Sequence, residues 1–183
     1  MSEMLNVRLR RATGHDAALV ERLRNQPSSR RFQASPKREI SEIRAMLEEQ
    51  SEIELGHNAT GRLYWVIVVD DQTAGYLQLD VSPGYRQQAT CTLGYTVDEP
   101  MHGRGVATAA VRSAIQIAFG ASGLGLERIE AVAAVENVAS RRVLEKSGFQ
   151  FEGIRRGLLR IQGQRVDHAC YGLLVTDRTG REF

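Results

Sequence analysis

The chain has little of what marks a secreted, membrane-spanning or metal-built protein. Only two of its 183 residues are cysteine, Cys91 and Cys170, and neither belongs to a CxxC or Cys/His cluster. Each lies in an apolar run, so two buried, reduced thiols are expected, with neither a disulfide nor a zinc site. No stretch approaches the roughly 18 consecutive apolar residues of a bilayer-spanning helix. Met1 to Arg11 carries arginines without the apolar core of a secretory signal, so a cytoplasmic location is expected. Net charge is also scarce. Lys and Arg number 24 against 22 Asp and Glu, and the resulting +2 is too small for an electrostatic nucleic-acid binder. There is no internal repeat, low-complexity segment or Pro/Gly/Ser linker, so residues 1–183 read as a single domain.

Arginines nevertheless cluster, at Arg30/Arg31, Arg141/Arg142 and Arg155/Arg156. A solvated face is the expectation for the first and last pairs, and a phosphate contact is considered for Arg141/Arg142.

Along the chain, Val7–Arg11 alternates as a short strand, Asp16 can cap a helix closed by Pro27, and Ser41 can cap a second helix. Leu63–Asp70 and Thr73–Val81 read as a hairpin turning at Asp71-Gln72. Ala89–Val97 follows as a further strand, after a loop containing Pro83-Gly84. From Gly105 the apolar period becomes 3.6, with Ala107, Ala110, Val111, Ala114 and Ala118 forming one stripe that ends near Gly120. A stripe this rich in alanine predicts close packing on the layer beneath. Arg128–Val135 is then a strand, Val138–Ser147 a helix, and Phe149–Leu158 and Arg165–Val175 strands joined by Gln162-Gly163-Gln164. Hairpins early and strand–helix–strand crossovers late predict an α/β (α+β) chain with a mixed sheet.

The segment Met101-His102-Gly103-Arg104-Gly105-Val106-Ala107-Thr108 carries the most chemistry. It joins a strand to a helix, where unpaired backbone N–H groups and the positive end of the helix dipole suit an anion. Glycines there let the backbone approach a phosphate closely. It is no P-loop, because Gly103 and Gly105 are too close and no Gly-Lys-Ser/Thr follows; Thr108 stands where a dinucleotide fingerprint needs its third glycine. A plain strand-to-helix turn is the competing reading. In the second segment, Asn137 to Phe149, Asn137 is a good N-cap type and Ser140 lies one helical turn further on.

Together these segments resemble the GNAT acetyltransferases, and within them the RimJ/RimL-like branch that acetylates ribosomal proteins. The family's R/Q-x-x-G-x-G/A stands here as His102-Gly103-Arg104-Gly105-Val106-Ala107. The branch's Gly-Tyr pair is Gly94-Tyr95, and its N-x-x-S-x-x-v-x-e-K-x-G-F matches Asn137 to Phe149 throughout. The resemblance covers about residues 7–175. It implies a mixed central sheet of about seven strands with helices on both faces, and transfer of acetyl from acetyl-CoA directly to a primary amine, without a metal.

It further implies that the backbone of Gly103, Arg104, Gly105, Val106, Ala107 and Thr108 holds the pyrophosphate. The backbone of Tyr95, Thr96 and Val97 would meet the pantetheine arm. Asn137 would contact the cofactor, and Ser140 would act catalytically by donating to the departing sulfur. Gln26–Lys37 and the second helix would line the acceptor side. The acceptor itself is open, either a protein N-terminus or a small amine, and a homodimer is compatible with the resemblance; no nucleic-acid or membrane partner is implied. Three positions depart from the family's pattern: His102 replaces Gln or Arg, and Thr92 and Val132 stand where many relatives have glutamate. With the general base undefined, Glu130, Asp98 and Glu99 are the nearby carboxylates to examine. Two alternatives stay open, a non-catalytic acyl-CoA-binding or sensor domain and, less well matched, a nucleotide-binding oxidoreductase.

Overall fold

In the first long strand, Leu63, Trp65, Ile67 and Val69 alternate with Tyr64, Val66 and Val68, and both sets are buried. A strand whose two faces are both buried needs a covering layer on each side. The computed structural model, which describes residues 6–34 and 36–178, supplies both layers. Among the described residues the strands are β1 (Val7–Arg11), β2 (Gly61–Val69), β3 (Gln72–Val81), β4 (Thr90–Val97), β5 (Arg128–Ala134), β6 (Gln150–Ile161) and β7 (Gln164–Leu174). The helices are α1 (Ala17–Asn25), α2 (Pro27–Phe32), α3 (Ile40–Ser51), α4 (Pro83–Gln87), α5 (Val106–Phe119) and α6 (Val138–Lys146).

The strands form one sheet in the order β1-β2-β3-β4-β5-β7-β6. Every neighbouring pair is antiparallel except β4 and β5, which are parallel and joined through α5. The larger core holds Leu63, Trp65, Ile67, Leu77, Leu93 and Ile129 against α5 and α6. The smaller one packs Tyr64, Val66, Val68 and Tyr76 against Val20 and Leu23 of α1 and Ile43 and Leu47 of α3. Ala110, Val111, Ala114 and Ala118 of α5 are at most 1% exposed, so the alanine stripe lets that helix lie close to the sheet.

Several local expectations are corrected. Pro27 does not merely close α1; Gln26 adopts an extended conformation and Pro27 opens α2, since proline suits a first helical turn whose N–H needs no partner. Pro83 opens α4 for the same reason, where a plain loop was expected. Asp16 does not cap α1 with its side chain. Its carboxylate accepts from the Thr13 N–H (2.9 Å) and from Arg10 (3.0 and 2.7 Å). Helix α3 starts before Ser41, and the Glu42 carboxylate accepts from the Glu39 N–H. The β2–β3 turn falls at Asp70-Asp71, both with positive φ (46° and 64°), one residue earlier than expected. Cys91 is fully buried, but Cys170 is only half-buried, on the face of β7 opposite Ala169 and Tyr171 of the larger core.

Candidate functional site

The parallel pairing of β4 and β5 runs from Thr90↔Arg128 to Leu93↔Ala131 and then stops. Strand β4 continues to Val97 and β5 to Ala134, so the two splay into a V. The Asp98 N–H bonds to the Ala74 carbonyl of β3 (2.8 Å). By strand alternation Thr96 also turns its backbone toward β3, and Tyr95 and Val97 turn theirs into the V. Thr96 is buried, and its hydroxyl accepts from Gln33 Nε2 (3.0 Å). The Val97 carbonyl accepts from Gln26 Nε2 and from His102 Nε2, each at 2.9 Å. His102 is exposed, yet its ring folds back and fastens the loop to the end of β4.

That loop leads into α5 with Gly103 at φ +74° and Gly105 at φ +82°, the latter the helix N-cap. Both are left-handed conformations that disfavour any residue with a Cβ. No side chain caps the helix start, so the first-turn N–H groups of Val106, Ala107 and Thr108 point outward without an intrahelical acceptor. Nothing lies within 4 Å of where a Cβ would stand on Gly103 or Gly105, and Arg104 is exposed, its guanidinium against Met101 Sδ (3.1 Å). The result is an open, positively polarised helix end beside the mouth of the V.

Across the V from β4, α6 begins. Asn137 Oδ1 accepts from the Ser140 N–H (3.1 Å), so Asn137 is the helix cap. The Tyr95 and Ser140 hydroxyls meet at 2.8 Å, and the Tyr95 hydroxyl also lies 3.2 Å from the Ser140 carbonyl. Loss of hydration pushes the Tyr95 phenol up to about 12, opposed by its hydrogen bond to Ser140. From the sequence, only the backbone of Tyr95 is implicated. The Gly-Tyr pair was the signal, but pairing with Ser140 depends on how β4 and α6 meet in space.

Arg141 does not present its guanidinium to a phosphate: Nε bonds to the Tyr171 hydroxyl (3.1 Å) and Nη1 to the Val135 carbonyl (3.3 Å). Arg142 is exposed. Of the carboxylates, Asp98 is held by both terminal nitrogens of Arg22 (3.1 and 2.8 Å), which lowers its pKa. Glu99 accepts from the Ser28 N–H (2.8 Å) and is likewise lowered. These two acids tie the loop to α1 and α2 as anions. Glu130 accepts from Arg128 Nε (3.1 Å), and Arg128 reaches on to Glu152 (2.9 and 2.7 Å). Thr92 is half-buried and Val132 is 44% exposed.

Helix α2 roofs the face of the V opposite α5. Gln26 and Gln33 fix it to β4, and its far end is met by Gln162 of the β6–β7 turn, whose Nε2 donates to the Arg30 carbonyl (3.0 Å). The sequence showed these glutamines only as polar loop residues.

The acetyltransferase (GNAT) domain family matches residues 6–150. The chain belongs to the GNAT acetyltransferases. It is 34% identical over 142 residues to the probable N-acetyltransferase YjcK of Bacillus subtilis, spanning 77% of this chain and 72% of that protein. The structure of Mycobacterium smegmatis RimJ in complex with CoA-disulfide superposes with TM-score 0.78 at 25% identity, covering 93% of this chain and 83% of that one. The Vibrio cholerae spermidine N-acetyltransferase in complex with CoA and spermine shares the fold. Its TM-score is 0.80 at 19% identity, over 95% of this chain and 98% of that one. Membership of this family carries use of acetyl-CoA. No helix among the described residues is long and apolar enough to cross a membrane.

Proposed function

We propose that this GNAT acetyltransferase moves the acetyl group of acetyl-CoA directly to a primary amine, in one domain and with Ser140 at the reacting centre. The observation that carries this is the V that opens beyond Leu93 and Ala131, bridged at its far side by the Tyr95–Ser140 pair. The uncapped start of α5 fits a diphosphate: Val106, Ala107 and Thr108 offer N–H donors, and Gly103, Arg104 and Gly105 leave the approach open. The outward backbone groups of Tyr95 and Val97 would hold the pantetheine amides. The Val97 carbonyl is already shared between Gln26 and His102, so Tyr95 carries more of that role than Val97. Asn137 contributes by capping α6 and aiming Ser140.

Acetyl-CoA supplies an activated acyl group on a thiol leaving group. Ser140 would donate a hydrogen bond to the sulfur, where charge develops only as the thioester breaks. Tyr95 would donate to Ser140 and leave the serine's own proton free for sulfur. An ordinary thiol has a pKa of about 8.5. Tyr95, near 12, does not give up its proton to such a group, so the pair polarises rather than protonates.

Asp98, Glu99 and Glu130 are each held by a cation or an N–H donor, which favours an amine that arrives neutral or loses its proton to water. The acceptor is a protein N-terminus or a small amine, in line with the RimJ and spermidine acetyltransferase likenesses. Thermal melts with acetyl-CoA, NAD and ATP, followed by a primary-amine panel read as free thiol, test the reading. Acetyl-CoA alone should raise the melting temperature, and at least one amine should release thiol. Equal shifts with all three ligands would sink the cofactor assignment, and a shift without turnover would favour a sensor domain.

A further inference from the structure

Two arginine pairs with no part in this chemistry, Arg30/Arg31 and Arg155/Arg156, lie far apart in sequence, yet their segments meet. Gln162 at the tip of the β6–β7 hairpin holds the Arg30 carbonyl of α2 (3.0 Å). Arg160 and Arg165 flank that tip, so six exposed arginines occupy the two segments that close the open face of the V. Among the described residues none of the six forms an ion pair. Arg160 and Arg165 bond instead to the backbone carbonyls of Gly163 and Gly157, and Arg31 stacks on the Phe32 ring. Two acids share these segments and pair with other groups. Asp167 accepts from the Gly157 N–H and Glu152 is held by Arg128.

This concentration runs against the rest of the molecule. Helix α2 and the β6–β7 hairpin together hold six arginines against two acids, Glu152 and Asp167, while in the rest of the chain 18 cations face 20 acids, so the excess of positive charge lies in these two segments. Charge so arranged selects partners by sign and speeds their encounter. A polyamine would be repelled. A single carboxylate would engage only a fraction of a surface that spans a helix and a hairpin.

We infer that the acceptor is the amino terminus of an acidic polypeptide, whose carboxylates lie along this arginine surface while its amine enters the V. The inference rests on the acetyltransferase reading and names its substrate class.

The test uses the full chain, acetyl-CoA and peptides of one length whose free N-terminus is followed by glutamates, glutamines or lysines. Transfer is read as kcat/KM, and binding is read separately by anisotropy of labelled peptides with CoA present. The glutamate peptide should lead the glutamine peptide by about tenfold or more at low salt, with lysine last, and the gap should shrink as salt rises. In Arg155→Glu/Arg156→Glu, and separately in Arg30→Glu/Arg31→Glu, the ratio of glutamate to glutamine peptide should collapse toward one. The acetyl-CoA thermal shift checks that each variant is folded.

Equal use of the three peptides, a preference for spermidine, or free glutamate serving as well as the peptide would overturn the inference. So would tight binding of a single-stranded RNA oligonucleotide that the same variants abolish. Charge-selective peptide binding without any transfer would leave this surface standing and defeat the acetyltransferase reading instead.

Discussion

At the scale of single residues, the site turns on two hydroxyls that face each other across a gap. The serine is held by its own helix cap, since Asn137 Oδ1 takes the Ser140 N–H (3.1 Å). Its orientation is set from the other strand by Tyr95 (2.8 Å). Ser140→Ala should lower kcat by about ten- to a thousandfold, the range for losing one donor to a developing charge. Tyr95→Phe removes a neutral hydrogen bond one step back and should lower kcat only about two- to tenfold. Neither change should much affect the apparent affinity for acetyl-CoA. A merely structural pair would instead lower the melting temperature and leave kcat in the folded fraction near normal. Steady-state kinetics beside thermal melts separates the two. Ser140 was readable because it sits in a spaced motif. Tyr95 was half-readable: its strand and its neighbour Gly94 were plain, but the partner of its hydroxyl comes from a helix 45 residues away.

At the scale of elements, long periodic segments were legible and short helices were not. The alanine stripe of α5 and the alternation of β2 arise from burial, which the sequence records residue by residue. Helices α2 and α4 are of six and five residues, too short to show a period, and each opens on a proline that reads equally well as an interruption. The loop before α5 gives the element-scale prediction. Gly105 needs φ +82°, yet nothing lies within 4 Å of where its Cβ would be. Gly105→Ala should therefore fold, with a loss of about 1–2 kcal/mol from the left-handed conformation, measurable by urea denaturation. Gly105→Glu should fold comparably but lose the thermal response to acetyl-CoA, because it sets a negative charge at the open helix end. If the glutamate variant still responds, this helix start is only a turn.

At the scale of the whole molecule, function follows from a sheet left incomplete. Among the described residues seven strands form one sheet, and its one parallel seam, β4 to β5, stops at Leu93↔Ala131 while both strands run on. The mixed sheet was foreseeable from the order of hairpins and crossovers; a backbone left open at Tyr95–Val97 was implied by the family resemblance alone, because by its own pattern Gly94–Val97 reads as ordinary strand. The backbone amides of Tyr95 and Val97 thus face an absent neighbour. In deuterated buffer these two amides should exchange much faster than their neighbours Gly94 and Thr96, which are locked onto β3. A ligand that lies in the seam behaves as a missing strand, completing the sheet by augmentation. Saturating acetyl-CoA should then slow exchange at Tyr95 most, and at Val97 less, with little change at Gly94 and Thr96. An exchange map that alternates residue by residue along four positions is the signature of a cosubstrate read as backbone, and a uniform change along β4 would argue against it.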